Sequence, residues 1–394
     1  MKTLFLVSNS PGEVSTFVRP VVSQMSRTHP DWRLRVCLVP CPYATGAEAD
    51  VIASWPEAPE VWTPWQTTKA WLTGSGKGLS GAVVFLGGDP WHALLLKRRF
   101  QLPCMAYFWE PNRWEQSRWL GGFDRVARGY RGGGETDCGR IVSVSDLRVD
   151  AVQAKLASLE VADGRPLTLA LFPGSRWFHL KCVLGPFLKV VDDLMERLPN
   201  LKVLLAASPF VSRERLSLAA SSPLDLGISY TTAGLQGDHL VTSRGSTVEV
   251  VWADPYRVMA ECHCALSLPG SNTAELAIAG KPTVVPLTSR VPVGGSGLLG
   301  LLDRLPGPEP FKRYLRERKR KRLSLVALPN QLANRVIMPE FLVRDDLQDL
   351  SDFLFDLLMD GRRQKAIGQE ARDVMGPSGG ALELVSRLME IVPS

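Results

Sequence analysis

Apolar residues in this chain fall into short continuous runs separated by stretches of mixed pattern. Thr3–Val7, Leu34–Val39, Ala82–Leu86 and Met105–Phe108 are apolar on both faces, as strands buried inside a parallel sheet are. Between them, Phe17–Met25 and Ala93–Phe100 read as helices. The second half repeats the theme, with strands at Leu167–Phe172, Leu201–Ala206, Ala265–Leu268 and Thr283–Leu287. A helix lies between the first two of these. Leu184, Phe187, Leu188, Val191, Leu194 and Leu198 recur in it at three- and four-residue steps, with Asp192 and Asp193 read as solvent-facing. Such alternation predicts an α/β protein of two doubly wound, Rossmann-like domains facing a central cleft, with ligands at the carboxyl ends of the strands. Gly164-Arg165-Pro166 marks the junction, giving domains at 1–164 and 165–375. Helices at Asp345–Met359 and near Ala381–Ile391 flank Gly376-Pro377-Ser378-Gly379-Gly380, and 376–394 forms a C-terminal helix.

At 394 residues the chain suits two cores, and 45% hydrophobic with 22% charged content is globular. The apolar run before Ser8 is too short for a signal-peptide core, and none approaches the roughly eighteen residues of a spanning helix. A cytoplasmic protein is expected. Seven cysteines without framework spacing fit reduced thiols. Cys262-His263-Cys264 lacks a second cluster to complete a metal site, and reads as packed core.

The net charge of +6 is concentrated. Lys312–Arg322 (KRYLRERKRKR) holds eight basic residues and one acidic, which leaves the remainder one charge negative. Such a strip is a solvated helix face, a nucleic-acid patch or a contact with an anionic membrane. No groove-reading motif or zinc finger accompanies it, so nucleic acid is not expected. Tryptophan is abundant at 11, and Trp62, Trp65 and Trp71 cluster beside Lys69 and Lys77. Amphipathic rings suit a bilayer interface or an ordinary core.

Two turns carry the chemistry. Leu171-Phe172-Pro173-Gly174-Ser175-Arg176 and Pro269-Gly270-Ser271-Asn272-Thr273-Ala274-Glu275 each follow an apolar strand and open a helical pattern. A small-residue turn there aims free N–H groups and a helix dipole at a phosphate. Arg176 adds a fork for phosphate oxygens and Glu275 an acceptor for hydroxyls. Two such turns in one domain suggest a nucleotide diphosphate. In the first half, Ser8-Asn9-Ser10-Pro11-Gly12-Glu13-Val14-Ser15-Thr16 is a similar turn into a helix. Gly87-Gly88-Asp89-Pro90-Trp91-His92 follows another strand, where Asp89 is either a base or a cap on the helix beginning at Trp91.

The order and spacing of these turns, with Gly280-Lys281-Pro282-Thr283-Val284-Val285, Leu328-Pro329-Asn330, Asn334-Arg335 and Pro339-Glu340-Phe341-Leu342, resembles the lipid-A-disaccharide synthase family over roughly residues 165 to 345. Those enzymes are GT-B glycosyltransferases that use a UDP-linked acylglucosamine. The resemblance implies that Gly174, Ser175, Arg176, Gly270, Ser271, Asn272, Thr273, Glu275, Asn330 and Arg335 hold the UDP-sugar. It implies that Gly12, Glu13 and Ser15 match the family's Gly-Glu-Ala-Ser segment, with Gly12 and Ser15 on the acceptor and Glu13 among the catalytic candidates. It also places an aspartate general base near Asp89. This chain has Trp91-His92 where the family's second carboxylate lies, so Asp89 and His92 are both candidate bases. Trp109-Glu110-Pro111-Asn112-Arg113-Trp114 stands where the family has a tryptophan-rich segment, with Glu110 and Asn112 as acceptor contacts or as loop packing.

The resemblance implies inversion by direct displacement. No Asp-x-Asp motif follows a strand, so no metal or other cofactor is expected, and helix termini with Arg176 neutralise the leaving diphosphate. The expected partners are a UDP-sugar, a lipid or glycolipid acceptor and an anionic membrane surface. The acylated substrates of the family favour peripheral attachment to the inner face of the membrane. The last helix is expected to cross back onto the first domain. Two alternatives stand beside this reading: a UDP-sugar epimerase of the same fold, and a non-catalytic nucleotide-sugar- or lipid-binding protein.

Overall fold

The computed structural model describes residues 2–41, 44, 46–74, 78–109, 119–129, 139–160, 164–174, 176–209, 211–288 and 325–393. The chain divides into two compact units, Met1–Ala157 with Asp373–Ser394, and Ser158–Arg372.

The first unit is built on a seven-stranded parallel sheet. Its strands are β1 (Thr3–Ser8), β2 (Arg33–Leu38), β3 (Glu60–Trp62), β4 (Gly81–Phe85), β5 (Cys104–Phe108), β6 (Arg125–Arg128) and β7 (Ile141–Ser143). They are ordered β3-β2-β1-β4-β5-β6-β7. Successive residues point to opposite faces. Leu4, Leu6, Val36, Val84, Met105 and Tyr107 therefore meet Phe17, Val21, Val22 and Met25 on one side. Phe5, Val7, Val83, Phe85 and Ala106 meet Ala93, Leu96 and Phe100 on the other.

The last helix, Gly380–Met389, completes the first of these layers with Ala381, Leu384, Val385 and Leu388. Its entry is fixed by polar contacts. Asp150 accepts from the amides of Gly379 at 2.6 Å and Ala381 at 2.7 Å, and Glu383 accepts from Ser145 N at 2.6 Å. A Cβ on Gly380 would lie 2.2 Å from Ser145 O, so only glycine fits.

The second unit carries an eight-stranded sheet. Its strands are β8 (Thr168–Phe172), β9 (Lys202–Ala207), β10 (Ala233–Gln236), β11 (His239–Thr242), β12 (Thr247–Trp252), β13 (Cys264–Ser267), β14 (Thr283–Leu287) and β15 (Glu340–Leu342). The order is β10-β11-β12-β9-β8-β13-β14-β15, with β10, β11 and β12 antiparallel. The apolar runs did not signal these three strands, nor β3, β6, β7 and β15, because each is short or half-exposed.

The long helix here spans Trp177–Arg197 and begins directly after the turn that was read as opening it. Pro186 has no N–H to give to Cys182 O but does not end the helix, and Gly185 O accepts from Thr231 N at 3.1 Å. The solvent-facing reading of its two aspartates is corrected. Asp192 is buried and accepts from Thr242 Oγ1 at 2.7 Å, which ties the helix to β11. Asp193 pairs with Lys189 and accepts from Ser351.

Cys262 and Cys264 are buried thiols whose ionisation is pushed up by burial, and His263 Nδ1 accepts from Thr168 N at 3.1 Å. Among the described residues, no helix is long and apolar enough to cross a membrane.

Candidate functional site

In a doubly wound sheet, ligands gather where the strand order reverses, outside the carboxyl ends of the strands. In the second unit the order reverses between β8 and β13, which are paired in parallel register. The two turns singled out from the sequence are the ones that leave these strands. Gly174 has φ +86, a conformation that glycine adopts without penalty. A Cβ built on it would lie 3.7 Å from Leu268 Cδ1, so the turns adjoin.

From the first turn rises the helix Trp177–Arg197, capped by Arg176. From the second rises Ser271–Ile278, capped by Gly270. Neither cap residue offers a side-chain bond to the helix amides. Two helix N-termini with their positive dipole ends therefore open side by side. Arg176, Gly270 and Ser271 are exposed and Asn272 is half-buried, while Ser175 lies outside the described residues.

Other expected nucleotide residues take internal positions. Thr273 is buried and its Oγ1 donates to Gly270 O at 2.8 Å, which stiffens the turn. Glu275 is buried on the same helix. Tyr256, which the sequence reading missed, titrates above its usual range because of burial first and the nearby Glu275 carboxylate second.

Asn330 was expected on the nucleotide but is fully buried with its amide satisfied inside the protein. Its Nδ2 donates to Met338 O at 2.7 Å and Glu340 Oε1 at 2.8 Å, and its Oδ1 accepts from the amides of Ile337 and Met338, both at 2.9 Å. It holds the approach to β15 in place. Arg335 is exposed and paired with Glu370.

The short helix Ser271–Ile278 is also gripped at its far end. Arg372 Nη2 donates to Ala279 O at 2.9 Å, and its Nε donates to Ile278 O at 3.3 Å. The guanidinium fills the space beside Gly280, where a Cβ would lie 2.3 Å from Nη2. A cation at a helix carboxyl end is the favourable sign for the dipole.

In the first unit the order reverses between β1 and β4, again adjacent and parallel. Ser10 and Glu13 form a reciprocal capping box after β1. Glu13 lies against the turn after β4, where a Cβ on Gly87 would be 2.2 Å from Glu13 Oε2. Gly88, at φ +89, lies against Asn9, whose Nδ2 would be 3.1 Å from an added Cβ. Asp89 follows and is exposed. The helix after it, Trp91–Phe100, takes Pro90 as its cap, and among the described residues the Asp89 carboxylate makes no hydrogen bond.

His92 is in a different situation. It is 2% exposed, stacked on Trp91 with ring centroids 3.6 Å apart and packed against Trp71 at 4.7 Å. Burial pushes its pKa down to about 4, against a smaller upward pull from Asp89, and among the described residues its Nδ1 has no hydrogen-bond partner. A ring so enclosed is poorly placed to exchange a proton with a ligand, whereas the Asp89 carboxylate is exposed.

Gly12 and Ser15 are exposed at the start of the first helix, and Glu110 and Asn112 lie outside the described residues. That helix widens into a π-helical turn at Val14–Val18, immediately ahead of Pro20, which has no N–H to give.

The tryptophan cluster separates into two kinds. Trp62 stacks under the Arg35 guanidinium at 4.2 Å, and Trp71 packs on Trp91 and His92. Only Trp65 of the three is on the surface, 73% exposed. Leu72, seven residues on and 70% exposed, shares its face of the helix Pro64–Thr73 with Lys69 between them. The basic strip Lys312–Arg322 lies outside the described residues.

No family model matches the chain. Its sequence is 27% identical over 216 residues to a lipid-A-disaccharide synthase of Pseudomonas syringae pv. syringae, a match covering 53% of this chain and 44% of that protein. Among solved structures, MurG of Acinetobacter baumannii superposes with a TM-score of 0.51 at 14% identity, covering 99% of this chain and 100% of its own. The UDP-GlcNAc 2-epimerase of Neisseria meningitidis bound to UDP-GlcNAc gives 0.54 at 13% identity, with 99% and 100% covered. With its two sheets and their reversal points, the chain is a protein of the GT-B fold, shared with MurG and UDP-GlcNAc 2-epimerases, and about half of it is similar in sequence to lipid-A-disaccharide synthase.

Proposed function

We propose that this protein is an inverting, metal-independent glycosyltransferase that moves a sugar, an acylated aminosugar by its similarity, from a UDP donor to a lipid or glycolipid acceptor. The observation that carries this reading is the pair of adjoining turns at the β8/β13 reversal, each opening a helix without a side-chain cap. A diphosphate fits two helix N-termini and the guanidinium of Arg176. The same groups stabilise the charge that develops on UDP as it leaves. At the β1/β4 reversal, Asp89 takes the proton of the acceptor hydroxyl while that oxygen attacks the anomeric carbon from the opposite face. One base and one stabilised leaving group are sufficient for a direct displacement.

The lipid acceptor is supported by the similarity to lipid-A-disaccharide synthase. Attachment to the inner face of an anionic membrane is supported by the Lys312–Arg322 strip and the exposed Trp65–Lys69–Leu72 face.

A second reading is epimerisation of a UDP-sugar, favoured by the likeness to a UDP-GlcNAc 2-epimerase over 99% of the chain. One incubation separates the two. With UDP-GlcNAc, acylated UDP-glucosamines and extracted membrane lipid, transfer releases UDP and yields a new glycolipid. Epimerisation converts the sugar at C2 with no lipid product. Binding of UDP with neither outcome refutes both and leaves a carrier of nucleotide-sugars.

A further inference from the structure

The turn after β1 holds polar atoms that its capping role does not use. Ser8, the last residue of β1, is completely buried, and among the described residues its Oγ has no hydrogen-bond partner. Asn9, the next residue, presents an Oδ1 that is likewise buried and without a partner among the described residues. Such atoms are rare in folded proteins, because each has given up water without receiving a bond in return. The Asn9 side chain is also held in place. It lies close to Gly88, where an added Cβ would come within 3.1 Å of Asn9 Nδ2 and 3.3 Å of its Cγ, and within 2.9 Å of Val39 Cγ2. The Gly87–Gly88 pair thus receives two polar side chains, Glu13 and Asn9, at the point where the strand order reverses.

We propose that Asn9 is a specificity-determining residue whose side-chain carbonyl, next in sequence to the equally unsatisfied Ser8 hydroxyl, accepts a hydrogen bond from a hydroxyl of a sugar ligand beside Glu13. The inference rests on the acceptor reading of this unit. The chemistry of the atoms selects the ligand class. An amide carbonyl and a carboxylate both accept, so together they match a ligand rich in O–H donors. A phosphate or sulfate, which only accepts, meets repulsion there. Asn9 precedes the segment matched to the glycosyltransferase family, so its contact distinguishes acceptors within this chain.

Saturation-transfer NMR and calorimetry on the full chain test the proposal, with methyl N-acetylglucosaminide as the sugar probe, inorganic phosphate as the control and UDP titrated in parallel. The wild type is expected to bind the sugar and to ignore phosphate. Asn9→Ala is expected to bind the sugar at least tenfold more weakly, and Asn9→Asp, which keeps an acceptor oxygen, to retain part of the affinity. UDP affinity is expected to be unchanged in both. Equal sugar binding by wild type and Asn9→Ala overturns the proposal and assigns the orphan oxygen to a trapped water. Absence of sugar binding by a wild type that binds UDP overturns it while leaving the donor reading intact. Loss of UDP binding by the wild type instead strikes the donor reading and leaves the sugar measurement to be judged separately. If Asn9→Ala fails to fold, Ser8→Ala and Asn9→Asp carry the comparison, and unchanged sugar affinity in both overturns it.

Discussion

The Glu13 carboxylate occupies the volume that any side chain at Gly87 would need: a Cβ there would lie 2.2 Å from Oε2 and 2.5 Å from Cδ. The turns after β1 and β4 are therefore fitted to one another. Gly87→Ala is expected to destabilise the first unit by about 1–3 kcal/mol, the usual cost of overpacking. Glu13→Ala in the same chain should recover part of that loss. Urea denaturation of the four proteins in the cycle checks it, and purely additive effects would contradict the fit.

Arg176 stands exposed beside the β8 turn. Arg176→Ala is expected to weaken UDP binding by about 1–3 kcal/mol, as for a lost charge-assisted hydrogen bond. Calorimetry with UDP reads it directly, and an unchanged affinity would remove Arg176 from the site.

Asp89 and His92 differ in enclosure, and the variants should differ accordingly. Asp89→Asn is expected to fold, to bind donor normally and to lose about a hundredfold or more in turnover. His92→Gln should keep most of the turnover of the wild type. The reverse pattern would move the base to His92.

His92 also makes stability depend on pH. Its pKa falls from 6.5 to about 4 on folding, so between those values the unfolded chain binds a proton that the native ring refuses. The native state is therefore favoured in full above pH 6.5 and loses that advantage as the pH falls towards 4. Denaturation midpoints at pH 7.5 and 4.5 should drop further for the wild type than for His92→Gln, and parallel curves would show that the ring titrates freely.

For the membrane reading, flotation with anionic and neutral liposomes separates two contributions. Attraction by the Lys312–Arg322 strip should fade with salt, because charges are screened within roughly 8 Å at physiological ionic strength. Trp65→Ser with Leu72→Ser should remove the salt-resistant remainder. Equal recovery on both liposome types would exclude the electrostatic part.

The sequence made the central strands legible because burial on both faces leaves an unbroken apolar run: β1, β4, β5, β8 and β13 all lie within a residue or two of expectation. Edge elements were not legible. β11 alternates His239, Leu240, Val241 and Thr242 over too few residues to stand out, and β15 has three. The two strand–turn–helix junctions after β8 and β13 were visible because a strand, small residues and a helix follow one another locally. Asn330 was misread for the complementary reason. Its partners Ile337, Met338 and Glu340 lie up to ten residues away, and only the fold shows that they consume every bond the amide can make. The enclosure of His92 by Trp71, a residue from the preceding helix, was hidden in the same way.

Arg372 is the final residue of the second unit, and one peptide bond later the chain belongs to the first. Its guanidinium closes the carboxyl end of the helix whose opposite end is the proposed diphosphate seat. A Cβ on Gly368, one turn earlier, would lie 2.1 Å from Gly280 O, so that contact has no slack. A short rigid helix cannot take up displacement internally. A displacement of Gly270 would therefore work against the Arg372 contact at the other end of the helix. The helix is thus fixed at its carboxyl end by the last residue of its own unit.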